Sequence, residues 1–112
     1  MTPGLRQHKH ASLRIAIAEG LPEEMRDTTR EILSVHSDDP RKGHATALLH
    51  EVCTEADKWW ITLILCPRKF DDGMDDAKLI PFYERFGFAL IQTEPAPLMV
   101  RSPEPPKIAR IH

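Results

Sequence analysis

The chain lacks the segments that would place it in or across a membrane. It has no run of about eighteen apolar residues, which is the length that a membrane-spanning helix needs. Its first residues also lack the apolar core of a signal peptide. We therefore expect no membrane partner.

The chain also has few cysteines. Cys53 and Cys66 fall in different predicted elements, their spacing is not that of a metal pair, and a disulfide framework needs more cysteines. We expect both to be reduced thiols in a cytoplasmic protein.

The 15 basic residues are outnumbered by 17 acidic ones, and the net charge of −2 argues against a nucleic-acid partner.

The sequence predicts no metal site. His8 and His10 have no third ligand nearby and are assigned to a solvated tail. The acidic stretch over residues 68–76 lacks the closing Glu of a calcium loop. Its last residue, Asp76, is expected to cap the next helix.

A length of 112 residues predicts one domain with a core of adequate size. We expect a flexible N-terminal arm over residues 1–12 and an extended Pro-rich tail over residues 102–112. Residues 13–101 then form the single folded domain.

Hydrophobic periodicity predicts the elements of that domain. Strands are expected over residues 13–19, 28–36, 59–66, 88–93 and 98–101, and helices over residues 43–58 and 77–86. The strand, helix, strand order in the middle of the chain favours a parallel crossover, and the last two strands an antiparallel pair. The apolar face of the first helix comprises Ala45, Leu48, Leu49, Val52, Ala56 and Trp59.

The strand over residues 28–36 has apolar side chains on both faces. Leu33 and Val35 share one face in a regular strand, and Ile32 lies on the other. Two apolar faces indicate either a central strand that is covered on both sides or a β-bulge.

The segment from Val35 to Leu49 reads as a strand end, a polar turn and a helix start. Gly43 allows a ligand to approach the backbone closely. The start of a helix presents unpaired N–H groups and a partial positive charge, and Arg41 and Lys42 add two cations. These features predict a cradle for phosphate oxygens.

A second segment carries Phe82-Tyr83 followed by Gly87-Phe88 on a short helix. Together the two segments resemble the signatures of the GCN5-related N-acetyltransferase (GNAT) family. In that family a strand ends in Val, a Gly follows eight residues later, and an Ala/Leu-rich helix comes next, as with Val35 and Gly43 here. The sequence departs from the family at Pro40, which has no N–H and stands where the family has Gln or Arg.

The resemblance implies a fold of the α/β (α+β) class. Its sheet is mixed and mostly antiparallel, with a central parallel strand–helix–strand crossover. Family members usually have a strand and two helices before the stretch that begins at Leu13, and we expect these elements to be missing here. Those helices form part of the acceptor wall in the family, so the site is either open, which suits a protein amine, or completed by a second copy in a homodimer. Short acetyltransferases of this kind resemble those of phages and mobile elements, some of which modify a host protein.

The resemblance also implies transfer of an acetyl group from acetyl-CoA to a primary amine on a small molecule or a protein, without a metal. The residues that it assigns to the cosubstrate are Leu33, Val35, Arg41, Lys42, Gly43, His44, Ala45 and Thr46. A different function class stays open, which is a catalytically silent binding module of the same fold that acts on a protein partner.

Three residues are candidates for the proton transfers of this reaction. By resemblance, Tyr83 is the acid that protonates the leaving thiolate, and the alternative is a Tyr whose hydroxyl lies at the surface. Glu31 and His36 flank the strand that would line the site, and either could deprotonate the amine through a water. The alternative for both residues is an ordinary structural role.

Overall fold

The computed structural model describes residues 1–9, 11–37, 43–67 and 76–104. The strands are β1 (Gly4–His8), β2 (Ala11–Ile17), β3 (Thr29–Ser37), β4 (Thr62–Leu65), β5 (Ala89–Gln92) and β6 (Leu98–Arg101). The helices are α1 (Glu23–Arg26), α2 (His44–Lys58) and α3 (Asp76–Glu84). Within these ranges, no helix has the length and apolar character that crossing a membrane requires.

The strands form one six-stranded sheet in the order β1-β2-β3-β4-β6-β5. Strands β3 and β4 pair in parallel, and the other neighbours are antiparallel. Helix α2 connects the parallel pair, because parallel neighbours need a long crossover between them. The predicted mixed sheet with a central strand–helix–strand crossover is confirmed.

Both long helices pack on the same face of the sheet. The buried side chains of β2, β3, β4 and β6 join those of α2 and α3 in one hydrophobic core. Side chains on the other face, such as Leu5, Arg14 and Glu31, are exposed or half-buried. The described residues therefore form two layers, a sheet with one covered face and the helices that cover it.

The predicted N-terminal arm is wrong over residues 4–8, which form β1. This strand pairs with β2 from Gly4 opposite Ile15 to His8 opposite Ala11. Side-chain contacts tie it to α2 as well, since Arg6 forms an ion pair with Glu55 at 3.1 Å and His8 Nδ1 lies 3.2 Å from a carboxylate oxygen of Glu51. The segment contains little apolar surface, so its hydrophobic pattern did not predict a strand. The predicted tail lies outside the described residues beyond Glu104.

The prediction that Trp59 and Trp60 belong to a buried strand, with Trp59 on the apolar face of α2, is also wrong. Their side chains are 58% and 57% exposed, and β4 begins only at Thr62. The chain reverses here in a Schellman motif, in which Ile61 N–H donates to Ala56 O and Trp60 N–H to Asp57 O. This motif requires a left-handed residue, and Trp60 takes that position with φ 58°.

Arg101 joins the end of β6 to both helices. Its side chain is 6% exposed and forms a bidentate pair with Asp57 of α2, at 2.8 and 3.0 Å. Its Nε donates to the carbonyl oxygen of Phe86 just after α3, at 2.6 Å. Burial alone would raise the pKa of Asp57, but hydrogen bonds from Arg101 and from Glu104 N–H outweigh it and hold the pKa below 3.8.

We expect Asp57→Asn to lower the free energy of unfolding at pH 7 by about 1–3 kcal/mol, because Arg101 loses its charged partner. The lowered pKa of Asp57 means that its contribution is complete above the unfolded pKa of about 3.9 and is lost as the pH falls through the folded value. Urea unfolding at several pH values measures the difference between the two proteins. A difference that stays constant down to the acid transition contradicts this origin, and the exposed Asp27→Asn is the control.

We expect Trp60→Gly to raise the free energy of unfolding by about 1 kcal/mol, because glycine adopts a left-handed conformation without the cost that an L side chain incurs. Removal of the exposed Trp60 indole would lose little packing. Trp59→Gly is the matched control. Trp59 is as exposed as Trp60 but has φ −96°, so glycine at this position relieves no left-handed strain. Equal destabilisation of both variants in urea titrations would show that the position of Trp60 is not strained.

Candidate functional site

The start of α2 has N–H groups outside the helix ladder. Gly43 is the N-cap residue, with φ 71° and ψ 18°, and as a glycine it has no side chain that could cap the helix. The i to i−4 ladder begins with Ala47 N–H donating to Gly43 O, so the N–H groups before it are outside the ladder. These donors lie at the positive end of the helix dipole. The phosphate cradle expected at this helix start stays a prediction.

The space beside Gly43 is open. A Cβ placed on its Cα would meet no atom within 4 Å, so the glycine is needed for its left-handed backbone and not for lack of room. The backbone there is exposed and accessible to a ligand. Arg41 and Lys42, which were expected to add positive charge, lie outside the described residues.

Strand β3 contains a bulge at Leu33. Its partner β2 steps from Arg14 to Ile15 while β3 steps from Ser34 to Ile32, so β3 carries one residue more. The extra residue changes the alternation of faces, which leaves Val35 6% exposed and Leu33 36% exposed. The prediction that these two share a face is therefore wrong, and the alternative of a bulge is confirmed.

Pairing of β3 with β4 ends at the same place, because β4 itself ends at Leu65. The last parallel pair is Ile32 with Leu65, whereas β3 continues to pair with β2 as far as Ser37 opposite Ala11. The end of β3, residues 34–37, therefore pairs with β2 and extends past the end of β4, and we call it the β3 extension.

Ser37, at the end of β3, is a candidate that the sequence reasoning missed. Its Oγ is buried and has no hydrogen-bond partner among the described residues. A buried hydroxyl without a partner costs about 1–3 kcal/mol, and such groups often mark a ligand or water position. The sequence shows only a serine in a turn-forming stretch, which gives no signal of burial.

Tyr83 lies inside the core and not at the surface. It is 2% exposed and belongs to the same hydrophobic core as Val35. Its ring packs edge-to-face on Phe82 at 5.1 Å and on Phe88 at 6.0 Å. The alternative of a surface hydroxyl does not describe this side chain.

The two candidate bases are not brought together. Glu31 is half-buried and pairs with Ala16 and Ile64 ahead of the bulge, whereas His36 is exposed and pairs with Ser12 beyond it. They are five positions apart along the strand, which corresponds to roughly 16 Å. They cannot act on the same proton.

The remaining assigned residues cluster at the start of α2. His44 is buried, and its ring lies 6.3 Å from that of His8 on β1, while Ala45 and Thr46 are half-buried. Across the described ranges, no three His, Cys, Asp or Glu side chains are grouped so that they could hold a metal ion.

Comparisons with known proteins identify the fold. No family model and no curated protein match the chain. Among solved structures, the anti-CRISPR protein AcrVA5 superposes with a TM-score of 0.70 and 19% identity, over 91% of this chain and 100% of that chain. A protein of Staphylococcus aureus Mu50 that has been assigned as an acetyltransferase superposes with a TM-score of 0.57 and 13% identity. That match covers 83% of this chain and 63% of the Staphylococcus chain.

These likenesses, with the parallel β3–β4 pair and the crossover helix α2, show that the chain has the GNAT fold.

Proposed function

We propose that the protein is an N-acetyltransferase that moves an acetyl group from acetyl-CoA to a primary amine. The observation that carries the proposal is the start of α2 at Gly43, which follows the β3 extension along the chain and has N–H groups outside the helix ladder. An anion site at a helix start suits the phosphate-bearing end of a cosubstrate, and a strand segment that extends past its neighbour can line the reactive arm. The fold shared with a protein assigned as an acetyltransferase supports the same class.

The described residues fit such a cosubstrate in two places. The N–H groups at the start of α2 would receive the pyrophosphate, and the hydroxyl of Ser37, which has no hydrogen-bond partner among the described residues, offers one more hydrogen bond to the cosubstrate. The bulged segment from Leu33 to Val35 would line the reactive arm. Acetyl-CoA, when bound, supplies an activated acetyl thioester.

Tyr83 is proposed as the proton donor to the departing sulfur. Its burial in the core that also contains Val35 keeps water from the phenol and fixes the ring against Phe82 and Phe88. A phenol with an ordinary pKa near 10 is protonated at neutral pH and can donate. The amine nitrogen bonds to the acetyl carbon, the carbon–sulfur bond breaks, and the phenol proton goes to the sulfur.

The acceptor is proposed to approach the uncovered face of the sheet. His36 and Glu31 both lie on that face, and His36 stands on the β3 extension, which favours it as the base that deprotonates the amine through a water. Helices α2 and α3 pack on the opposite face. An open face suits an amine on a protein surface better than a small molecule.

Calorimetric titration with acetyl-CoA tests the anion site. We expect binding at one site per chain for the unchanged protein, and a loss of at least about 100-fold in affinity for Gly43→Glu, because a carboxylate at the helix start repels the phosphates. The result depends on the cradle alone and needs no acceptor.

Gly20→Glu is the matched control for that titration. Gly20 also has a left-handed backbone, with φ 79°, and also has open space around its Cα, but it lies between β2 and α1. The Gly20→Glu variant should bind acetyl-CoA with the affinity of the unchanged protein. Absence of binding by the unchanged protein would reject the proposed cosubstrate and leave the silent binding module of the same fold.

We expect Tyr83→Phe to keep the affinity for acetyl-CoA and to lower kcat by about 10²-fold or more, which is the usual contribution of general acid catalysis. The phenylalanine preserves the ring contacts with Phe82 and Phe88, so stability should change little. Steady-state assays of thiol release with an amine acceptor measure the effect. Unchanged turnover would remove Tyr83 from the mechanism without changing the class of enzyme.

A further inference from the structure

The carbonyl that Arg101 binds belongs to the turn that holds Tyr83. After α3 ends at Glu84, the N–H of Phe86 donates to the carbonyl of Tyr83 at 2.9 Å, and the N–H of Phe88 donates to the same carbonyl at 3.4 Å. Phe86 O points out of this turn and accepts from Arg101 Nε at 2.6 Å. A cation at a helix C-terminus also interacts favourably with the helix dipole. Arg101 thus fixes the turn on which the Tyr83 backbone depends.

The other end of the Arg101 guanidinium is fixed to α2. Both of its terminal nitrogens bond to Asp57 in the last turn of that helix, and Asp57 also accepts from Glu104 N–H at 2.9 Å. An α-helix of 15 residues is a rigid rod of roughly 22 Å. Fixing the last turn of α2 therefore also fixes where its first turn, with Gly43, lies relative to α3.

The space around Arg101 is closely filled. A Cβ at Gly87 would meet Arg101 Nε at 3.4 Å, and Gly87 has φ 95°, so the turn both needs glycine and approaches the guanidinium closely. The ring of Phe86 packs on His50 of α2 at 5.1 Å, which adds a second contact between the same two helices. Small movements of Arg101 would therefore move the turn.

We propose that Arg101 is a positioning residue that sets the phenol of Tyr83 relative to the start of α2. The inference rests on the proposed function, since it assigns Arg101 to the placement of the proposed acid. Lysine cannot replace it, because one ammonium cannot make the bidentate pair with Asp57 and reach Phe86 O as well. Arg101 touches neither acetyl group nor amine in this role.

The kinetic test compares Arg101→Lys with Arg6→Lys. Both changes keep the charge and both weaken an ion pair on α2, but the partners of Arg6 are Glu55 and the carbonyl oxygen of Thr2, not the turn after α3. We expect Arg101→Lys to lower kcat by about 10- to 100-fold with the KM for acetyl-CoA within twofold, and Arg6→Lys to leave both unchanged. Assays well below the melting temperature of each variant separate positioning from unfolding.

A double-variant cycle asks whether Arg101 acts through Tyr83. In the Tyr83→Phe background, Arg101→Lys should reduce kcat by less than twofold, because the group that it positions is gone. A full additional loss in that background would overturn the proposal. Equal losses of kcat for Arg101→Lys and Arg6→Lys would overturn it too.

An NMR measurement tests the placement without any activity. Tyr83 is the single tyrosine of the chain, so selective labelling gives one set of ring signals, which the rings of Phe82 and Phe88 shift. We expect these signals to move in Arg101→Lys and in the milder Asp57→Asn, and to stay in place in Arg6→Lys. Unchanged signals in Arg101→Lys overturn the positioning role. Moved signals in a protein that transfers no acetyl group would support the positioning and reject the proposed function alone.

Discussion

One extra residue in β3 determines how the site is laid out. The bulge at Leu33 puts Ile32 and Val35 on the same buried face, although they are three positions apart along the strand. Pairing with β4 ends at Ile32, where β4 itself ends, and the β3 extension pairs with β2. Without the bulge, regular alternation would send Val35 to the open face and out of the core that also contains Tyr83.

The proposed site requires that α2 and α3 keep a fixed arrangement. Helix α2 begins at the proposed anion site, and α3 carries Tyr83. The two are linked by the contact of the His50 ring with Phe86 and by Arg101, which binds both Asp57 and Phe86 O. A buried ion pair adds little net stability compared with apolar packing, but it specifies one arrangement. The cost of burying Arg101 is therefore consistent with a role in geometry.

Patterns within short stretches of sequence predicted the elements that short-range interactions determine. Helix α2, the crossover and β6 follow from periodicity, and Gly43 at the helix start follows from the chemistry of turns. Strand β1 was missed because its pairing with β2 and its ion pairs to α2 are long-range and leave no periodic signal. The exposed Trp60 was missed because a Schellman motif usually takes glycine.

The candidate site divides in the same way. The helix start at Gly43 could be predicted from its spacing to Val35, whereas the contacts of Arg101 could not, since its partners Asp57 and Phe86 are distant in sequence. A charged residue two positions after the inward-facing Met99 was the available signal that a cation would be buried. The roles of Tyr83, Glu31 and His36 stay predictions, and their positions are now known.

The sheet separates two kinds of sequence constraint by its period of two. Inward side chains such as Leu13 and Leu65 are fully buried, so a change there alters packing, while outward neighbours such as Arg14 and Ile64 face away from the helices. Residues at outward positions can therefore be substituted without loss of folding. A chain built this way can acquire a new surface for recognition on one side while the other side preserves its architecture, which makes the uncovered face the adaptable half of the molecule.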